Sequence, residues 1–178
     1  SQVSVEPVCV AQNSDGSLTA YFTYNNVSDS EVVIQTDSAS GALNEIASGA
    51  DHFPSPSRFE KGKHLGAVSA TFHGGALVWR LKAAGRDLSE ARVDAATAAC
   101  KRVKPIGACA TIVSGKRLAL IGYQNPNSFP ITIPIGALNK LSPGDADRGQ
   151  PQRFMPGENL GVAVIARSEE HTSELQSH

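Results

Sequence analysis

Long apolar runs are missing from this sequence of 178 residues. No stretch approaches the ~18 consecutive apolar residues of a membrane helix, so membrane insertion is not expected. Charge is sparse and balanced: 16 Lys and Arg stand against 17 Asp and Glu, a formal net charge of -1. Without a basic excess the chain has little with which to gather phosphates, and nucleic acid is excluded as an expected partner. Aromatic residues make up only 6%, few for the ring platforms on which sugars stack. Signatures of catalysis are also lacking. There is no Gly-x-Ser-x-Gly elbow, no His-Glu-x-x-His and no phosphate-cradling Gly-x-x-x-x-Gly-Lys. The three cysteines, Cys9, Cys100 and Cys109, include no C-x-x-C pair, which argues against a zinc knuckle or a thioredoxin-type site. The sequence starts at Ser1 with no charged-then-apolar leader, and reads as a processed or excised chain.

What is present is a repeat. Gly41-Ala42-Leu43-Asn44 recurs 95 positions later as Gly136-Ala137-Leu138-Asn139. In the same register Arg58-Phe59 matches Arg153-Phe154, Gly62 matches Gly157, and Leu65-Gly66 matches Leu160-Gly161. Upstream the register slips: Tyr24-Asn25-Asn26 answers Tyr123-Gln124-Asn125, and Pro7-Val8-Cys9 answers Pro105 to Cys109. Slips of this kind belong in loops, where added length costs little. The organisation expected is a first module over 1–100, a second over 103–166, and a tail over 167–178.

Each copy reads as strands. Leu18 to Tyr24 is rich in Thr, Tyr and Phe, Arg117 to Tyr123 is its counterpart, and Asp15-Gly16 and Ser114-Gly115 are matching turns before them. Glu31 to Thr36, Phe129 to Ile135, Leu65 to Phe72 and Ala76 to Lys82 are further runs. His73-Gly74-Gly75 is expected to be a hairpin turn between the last two. Trp79, flanked by Val78 and Leu81, is expected in the core. The Ala-rich stretch Asp87 to Cys100 reads either as a capped helix or as an alternating strand; the strand is favoured because a sandwich needs a closing one. With 16 Gly and 10 Pro punctuating short strands, the fold class expected is all-β: two tandem Ig-like β-sandwich modules, the second truncated.

Copy two lacks everything after the equivalent of Val68 to Thr71. In its place stands Arg167-Ser168-Glu169-Glu170-His171-Thr172-Ser173-Glu174-Leu175-Gln176-Ser177-His178, which resembles the translation of a widely used sequencing-adapter oligonucleotide. The alternative is a polar C-terminal tail. On this reading Cys9 opens copy one and Cys100 closes it, so the two are expected to form a disulfide, with Cys109 unpaired or bonded between molecules. Disulfides of this kind persist in oxidising compartments. The alternative is three free thiols in a reducing one. A truncated sandwich leaves an unpaired edge, which a neighbouring copy supplies by strand addition.

Candidate chemistry is thin. Asp145 and Asp147 flank Ala146 in a Gly- and Pro-rich loop and are the weak candidates for a metal, Ca²⁺ by their chemistry. The other reading pairs Arg148 with a carboxylate and spends Asn139 and Gln150 on backbone groups. His52, His64 and His73 occur in one copy only, which suits turns better than a repeated metal site. Tyr-Asn-Asn and Tyr-Gln-Asn-Pro-Asn read first as strand-ending turns, and Asn26-Val27-Ser28 also fits a glycosylation sequon. No catalytic residue and no cofactor are expected.

The strings Gly122-Tyr123-Gln124-Asn125-Pro126-Asn127, Ile133-Pro134-Ile135-Gly136, Ser142-Pro143-Gly144-Asp145-Ala146-Asp147-Arg148-Gly149-Gln150-Pro151 and Phe154-Met155-Pro156-Gly157 together resemble a repeat module of bacterial secreted and cell-surface proteins. Copy one departs from the pattern at Asn26-Val27-Ser28 and at Gly49-Ala50-Asp51-His52-Phe53. The resemblance spans Val5 to Ala166 and implies tandem β-rich modules, an extracellular or cell-surface location, and no catalytic residues to carry over. The function expected is that of a non-enzymatic structural protein: a module of a surface fibre, stalk or adhesin whose partners are other copies of itself. A join of only Lys101-Arg102 is expected to make the pair stiff. The alternative is a carbohydrate- or partner-binding module of a larger secreted protein.

Overall fold

Thr, Tyr and Phe in the first copy and Leu, Ile and Val in the second supply the apolar and strand-favouring side chains of the longest runs, and these become paired strands. The computed structural model describes residues 2–47, 49–142 and 144–166; the tail over 167–178 lies outside the described residues. Every regular element among them is a β-strand, and every ladder between strands is antiparallel. The chain divides into two compact units, one ending at Cys100 and the other beginning at Lys101.

Unit 1 contains β1 (Val3–Gln12), β2 (Leu18–Asn26), β3 (Val32–Val33), β4 (Leu43–Ile46), β5 (Ala50–His52), β6 (Arg58–Phe59), β7 (Gly62–Phe72), β8 (Ala76–Lys82) and β9 (Ser89–Asp94). One sheet runs β1-β2-β7-β5, a second runs β4-β8-β9, and β3 pairs with β6. Both larger sheets feed one core. Val5, Phe22, Val68 and Phe72 enter it from the first sheet, and Leu77, Trp79, Leu81 and Val93 from the second. Burying each of these aliphatic and Phe side chains stabilises the unit by about 1.5–3 kcal/mol. Trp79 is fully buried, its ring 5.6 Å from Phe22, 5.5 Å from Phe53 and 6.3 Å from Phe59.

Unit 2 contains β10 (Lys104–Val113), β11 (Lys116–Asn125), β12 (Ile131–Thr132), β13 (Arg153–Phe154) and β14 (Gly157–Ala166). Its sheet β10-β11-β14 answers β1-β2-β7, and its pair β12-β13 answers β3-β6. The likeness extends to irregularities. β1 and β10 are each bulged just before a cysteine, between Pro7 and Cys9 and between Gly107 and Cys109. The β2–β7 and β11–β14 ladders slip at the same place, where Gly66 (φ 54°) and Gly161 (φ 64°) adopt the left-handed backbone that glycine reaches without strain. Among the described residues, unit 2 has no strand answering β4, β5, β8 or β9.

Three expectations need correction. His73-Gly74-Gly75 is not a hairpin turn: both glycines are left-handed and the chain does reverse, but β8 pairs with β4 and β9 rather than with β7. The reason is that the edge of β7 at Thr71 and Phe72 is already occupied by β5. The turns at Asp15-Gly16 and Ser114-Gly115 do not match. Ser114 (φ 51°) and Gly115 (φ 78°) form a two-residue reversal between Val113 and Lys116, of the kind that suits the twist of a hairpin. The first copy uses a longer loop over 13–17, closed by Asn13 and Ser17 and by Asp15, whose carboxylate accepts the Ser17 hydroxyl at 2.5 Å and its N–H at 2.9 Å. Those bonds, the hydroxyl's first, hold the Asp15 carboxyl below its ordinary value. Finally, Glu31 to Thr36 and Phe129 to Ile135 are mostly irregular, with only two-residue strands at their centres.

The expected strand in the Ala-rich stretch is present as β9, ending at Asp94, where a turn begins. Beyond it the chain returns to β1: Val10 donates to the carbonyl of Ala98 at 2.9 Å, and Cys100 donates to that of Val10 at 3.0 Å. The disulfide Cys9–Cys100 is formed. It ties β1 to the segment after the last strand, not to the strand itself.

Candidate functional site

Several of the residues shared by the two copies are polar, and the structure shows what they hold. Asn26 and Asn125 are fully buried at the ends of β2 and β11. The Asn26 amide donates to the carbonyls of Ser30 (2.9 Å) and Phe59 (2.8 Å), while its oxygen accepts the N–H and hydroxyl of Ser28. Asn125 does the same with Phe129 (3.0 Å) and Phe154 (2.9 Å), its oxygen accepting the N–H and side-chain amide of Asn127. One side chain thus closes its own turn and clamps the strand across it. A buried polar group so fully bonded is an architectural device. It also closes the Asn26-Val27-Ser28 sequon in the folded chain, because the amide nitrogen is already committed.

A second pair repeats this logic. Asn44 donates to the carbonyls of Ile34 (3.1 Å) and Pro56 (2.7 Å). Asn139 donates to those of Ile133 (2.8 Å) and Pro151 (2.9 Å). A third pair is aromatic. Tyr24 meets Phe59 edge-on at 5.1 Å and Tyr123 meets Phe154 edge-on at 4.8 Å, and each phenol oxygen accepts a backbone N–H, from Glu60 and Met155 respectively. Burial, ahead of the nearby Glu60 carboxylate, pushes the Tyr24 phenol above its ordinary value.

The candidate chemical groups are not brought together. Asp145 and Asp147 are exposed. The Asp147 carboxylate accepts the N–H of Gly149 at 3.1 Å, and the Arg148 guanidinium donates to the carbonyl of Ala166. Gln150 holds the loop from inside, accepting the Arg148 N–H at 2.8 Å and donating to the Ala146 carbonyl at 2.6 Å. Among the described residues no three His, Cys, Asp or Glu converge as a metal site. His64 stacks on Tyr24 at 4.6 Å, and His73 pairs with Asp51 at 2.5 Å on the surface. Cys109 is a free, exposed thiol.

Two concavities are formed by the described residues of single units. In unit 1 an open polar groove of about 380 Å³ is bordered by Gln2, Ser28, Arg86 and Asp87. None of its described lining residues is aromatic, so it offers no ring on which a sugar would stack. In unit 2 a largely apolar cleft of about 150 Å³ is lined by Ile121, Tyr123, Asn139, Leu141, Phe154 and Val162, among others. Leu138 in its lining is 58% exposed, and elsewhere the unit exposes Leu160 and Val164. The sequence pointed to an open edge in this copy but not to the cleft, which is defined by what the fold leaves uncovered. The available signal was Asn139, shared with a copy in which the same residue touches Trp79. No family model, curated protein or solved structure matches the chain.

Proposed function

We propose that the chain is a non-enzymatic structural protein of the extracellular space. It is built from tandem Ig-like β-sandwich modules and serves as a subunit or repeat module of a bacterial surface fibre, stalk or adhesin. The observation that carries this reading is the use made of the shared residues. Asn26, Asn44 and Tyr24, with Asn125, Asn139 and Tyr123, spend polar atoms on groups of their own unit, the backbone above all. What the repeat preserves is therefore a scaffold and not a constellation of free acids, bases or nucleophiles. The Cys9–Cys100 disulfide supports an oxidising location. The largely apolar cleft of unit 2, with exposed Leu138 in its lining, supports assembly, since apolar grooves mark interaction sites. Other copies of the chain are the partners, joined by strand addition or head-to-tail packing, the latter a geometry that propagates into filaments.

Negative-stain electron microscopy of the purified, oxidised chain tests the reading. Fibres with a repeat of one or two modules are expected. Discrete particles at high concentration would sink the fibre assignment, and a hydrolytic or transfer activity abolished by Asp147→Asn would sink the non-enzymatic one.

A further inference from the structure

In unit 1 the indole of Trp79 has a defined seat. Its ring lies against Phe22 and Phe59, and its Nε1–H donates to the Asn44 side-chain oxygen at 3.0 Å. Each of these three residues has a counterpart in unit 2. Ile121 answers Phe22, since both stand next to the same bulge, opposite Ala163 and Val68 respectively. Phe154 answers Phe59, since each pairs with the short strand before it and gives its carbonyl to the buried Asn. Asn139 answers Asn44 through the same two carbonyl bonds. Ile121, Phe154 and Asn139 all line the cleft of about 150 Å³. Phe53, the third ring around Trp79, has no aromatic counterpart there.

The backbone beside the cleft tells the same story. Gly41-Ala42-Leu43-Asn44 runs into β4, whose ladder with β8 sets Asn44 opposite Leu81 and Ile46 opposite Trp79. The same four residues at 136–139 form a local turn, with Gly136 and Asn139 bonded to each other and Leu138 exposed. The stretch that should be a strand has no strand to pair with among the described residues.

We propose that this cleft is the docking site for a β-strand that residues 101–166 do not supply, one with the chemistry of β8. The partner strand carries a tryptophan at its centre and aliphatic residues two positions to either side, the pattern of Leu77, Trp79 and Leu81. The indole enters the cleft and donates to Asn139. The strand adds along Leu138 to Leu141, exchanging the 3.3 Å bond between the Leu141 N–H and the Ala146 carbonyl for ladder bonds. The inference rests on the reading of the chain as an assembly module and adds the chemistry of what it assembles with.

The probe is a synthetic peptide of residues 75–94 of this chain, which carries β8 and β9, titrated calorimetrically into the full chain. One peptide is expected to bind per chain, and Trp79→Ala in the peptide is expected to weaken it by at least roughly tenfold, as for a central aromatic anchor. Asn139→Ala in the protein weakens the tryptophan peptide but leaves a Trp79→Phe peptide, which lacks the N–H, unchanged. Val162→Asp, at a partly exposed position in the lining that the fold tolerates, abolishes binding. No saturable binding, binding indifferent to Trp79→Ala, or binding that survives Val162→Asp each overturns the proposal. So does a dimer of the chain that excludes the peptide, which would assign the cleft to a second copy of unit 2. Fibres without peptide binding leave the assembly role standing and refute only the socket.

Discussion

Removing the Cys9–Cys100 disulfide is the sharpest perturbation of unit 1. The two cysteines are 91 residues apart in sequence. In the chain-entropy model, closing a loop of that length removes about 4.6 kcal/mol of conformational freedom from the unfolded chain at 25 °C. The native state loses little when the bond is cut, because the Val10–Ala98 and Cys100–Val10 backbone bonds keep the segment against β1. The effect therefore lies mainly in the unfolded ensemble. A domain of this size is stable by roughly 5–15 kcal/mol, so the loss is a third of that or more. With a urea slope of roughly 1–3 kcal/mol per molar, the midpoint of Cys100→Ser falls by about 1.5–4.6 M. Trp79, the sole tryptophan and fully buried in unit 1, makes its fluorescence a report on that unit alone. Thiol titration is the accompanying control: one thiol, Cys109, reacts in the native oxidised chain, and three react after reduction in denaturant. A midpoint that moves by less than the equivalent of ~1 kcal/mol, or three reactive thiols before reduction, would refute the reasoning.

Two further outcomes are expected. Asn26→Ala bares the carbonyl of Phe59 and frees the Ser28 turn, at roughly 1–3 kcal/mol for each buried group left unpaired; Asn25→Ala next to it stays within about 0.5 kcal/mol in the same urea titration. Tyr24 makes unit 1 sensitive to alkali. Its folded phenol ionises above its ordinary value, so near pH 10 the unfolded chain sheds a proton that the folded chain keeps. The contribution is whole below that pH and is lost as pH rises through the folded pKa. Melting temperature should therefore fall across this range more steeply than in Tyr24→Phe, and equal slopes would show that burial does not hold the proton.

Much of the fold was legible because it is local. The Thr, Tyr and Phe content of Leu18 to Tyr24 gave β2, the repeat carried it over to β11, each to within a few residues, and Ala76 to Lys82 is β8 to the residue. The cysteines were legible because Cys9 and Cys100 bracket one copy. The His73-Gly74-Gly75 turn was misread because turn chemistry fixes a reversal but not the sheet that receives the next strand; that depends on β5, a three-residue strand with no periodicity of its own. The short pairs β3–β6 and β12–β13 were only half legible for a related reason: β3 and β12 lie inside expected runs, and β6 and β13 were not read as strands. Two residues carry no alternation, and these strands are held in place by Asn26 and Asn125 from elsewhere in the chain. The cleft was least legible of all, since no residue in it is unusual.

Gly-Ala-Leu-Asn separates what sequence dictates from what a partner strand dictates. Its two occurrences are identical, and both asparagines hold equivalent carbonyls. Only the first continues into a strand, because only there does β8 lie alongside. The tetrapeptide itself cannot distinguish the two sites; the residues after it differ, Glu45-Ile46 against Lys140-Leu141, and only the first site has ladder bonds to β8 and a bond to Trp79. Amide hydrogen exchange reads this directly. In unit 1 the Leu43–Ile46 amides that bond to β8 are expected to be protected nearly as well as the rest of that sheet. At 138–141 exchange is expected to be fast, slowing only when a β8-like strand is added. Replacing Trp79 with Ala in the intact chain weakens the first site and leaves the second unchanged. If instead 138–141 is already as protected as β4 in the free chain, the strand state does not depend on a partner, and unit 2 has closed its edge by another route.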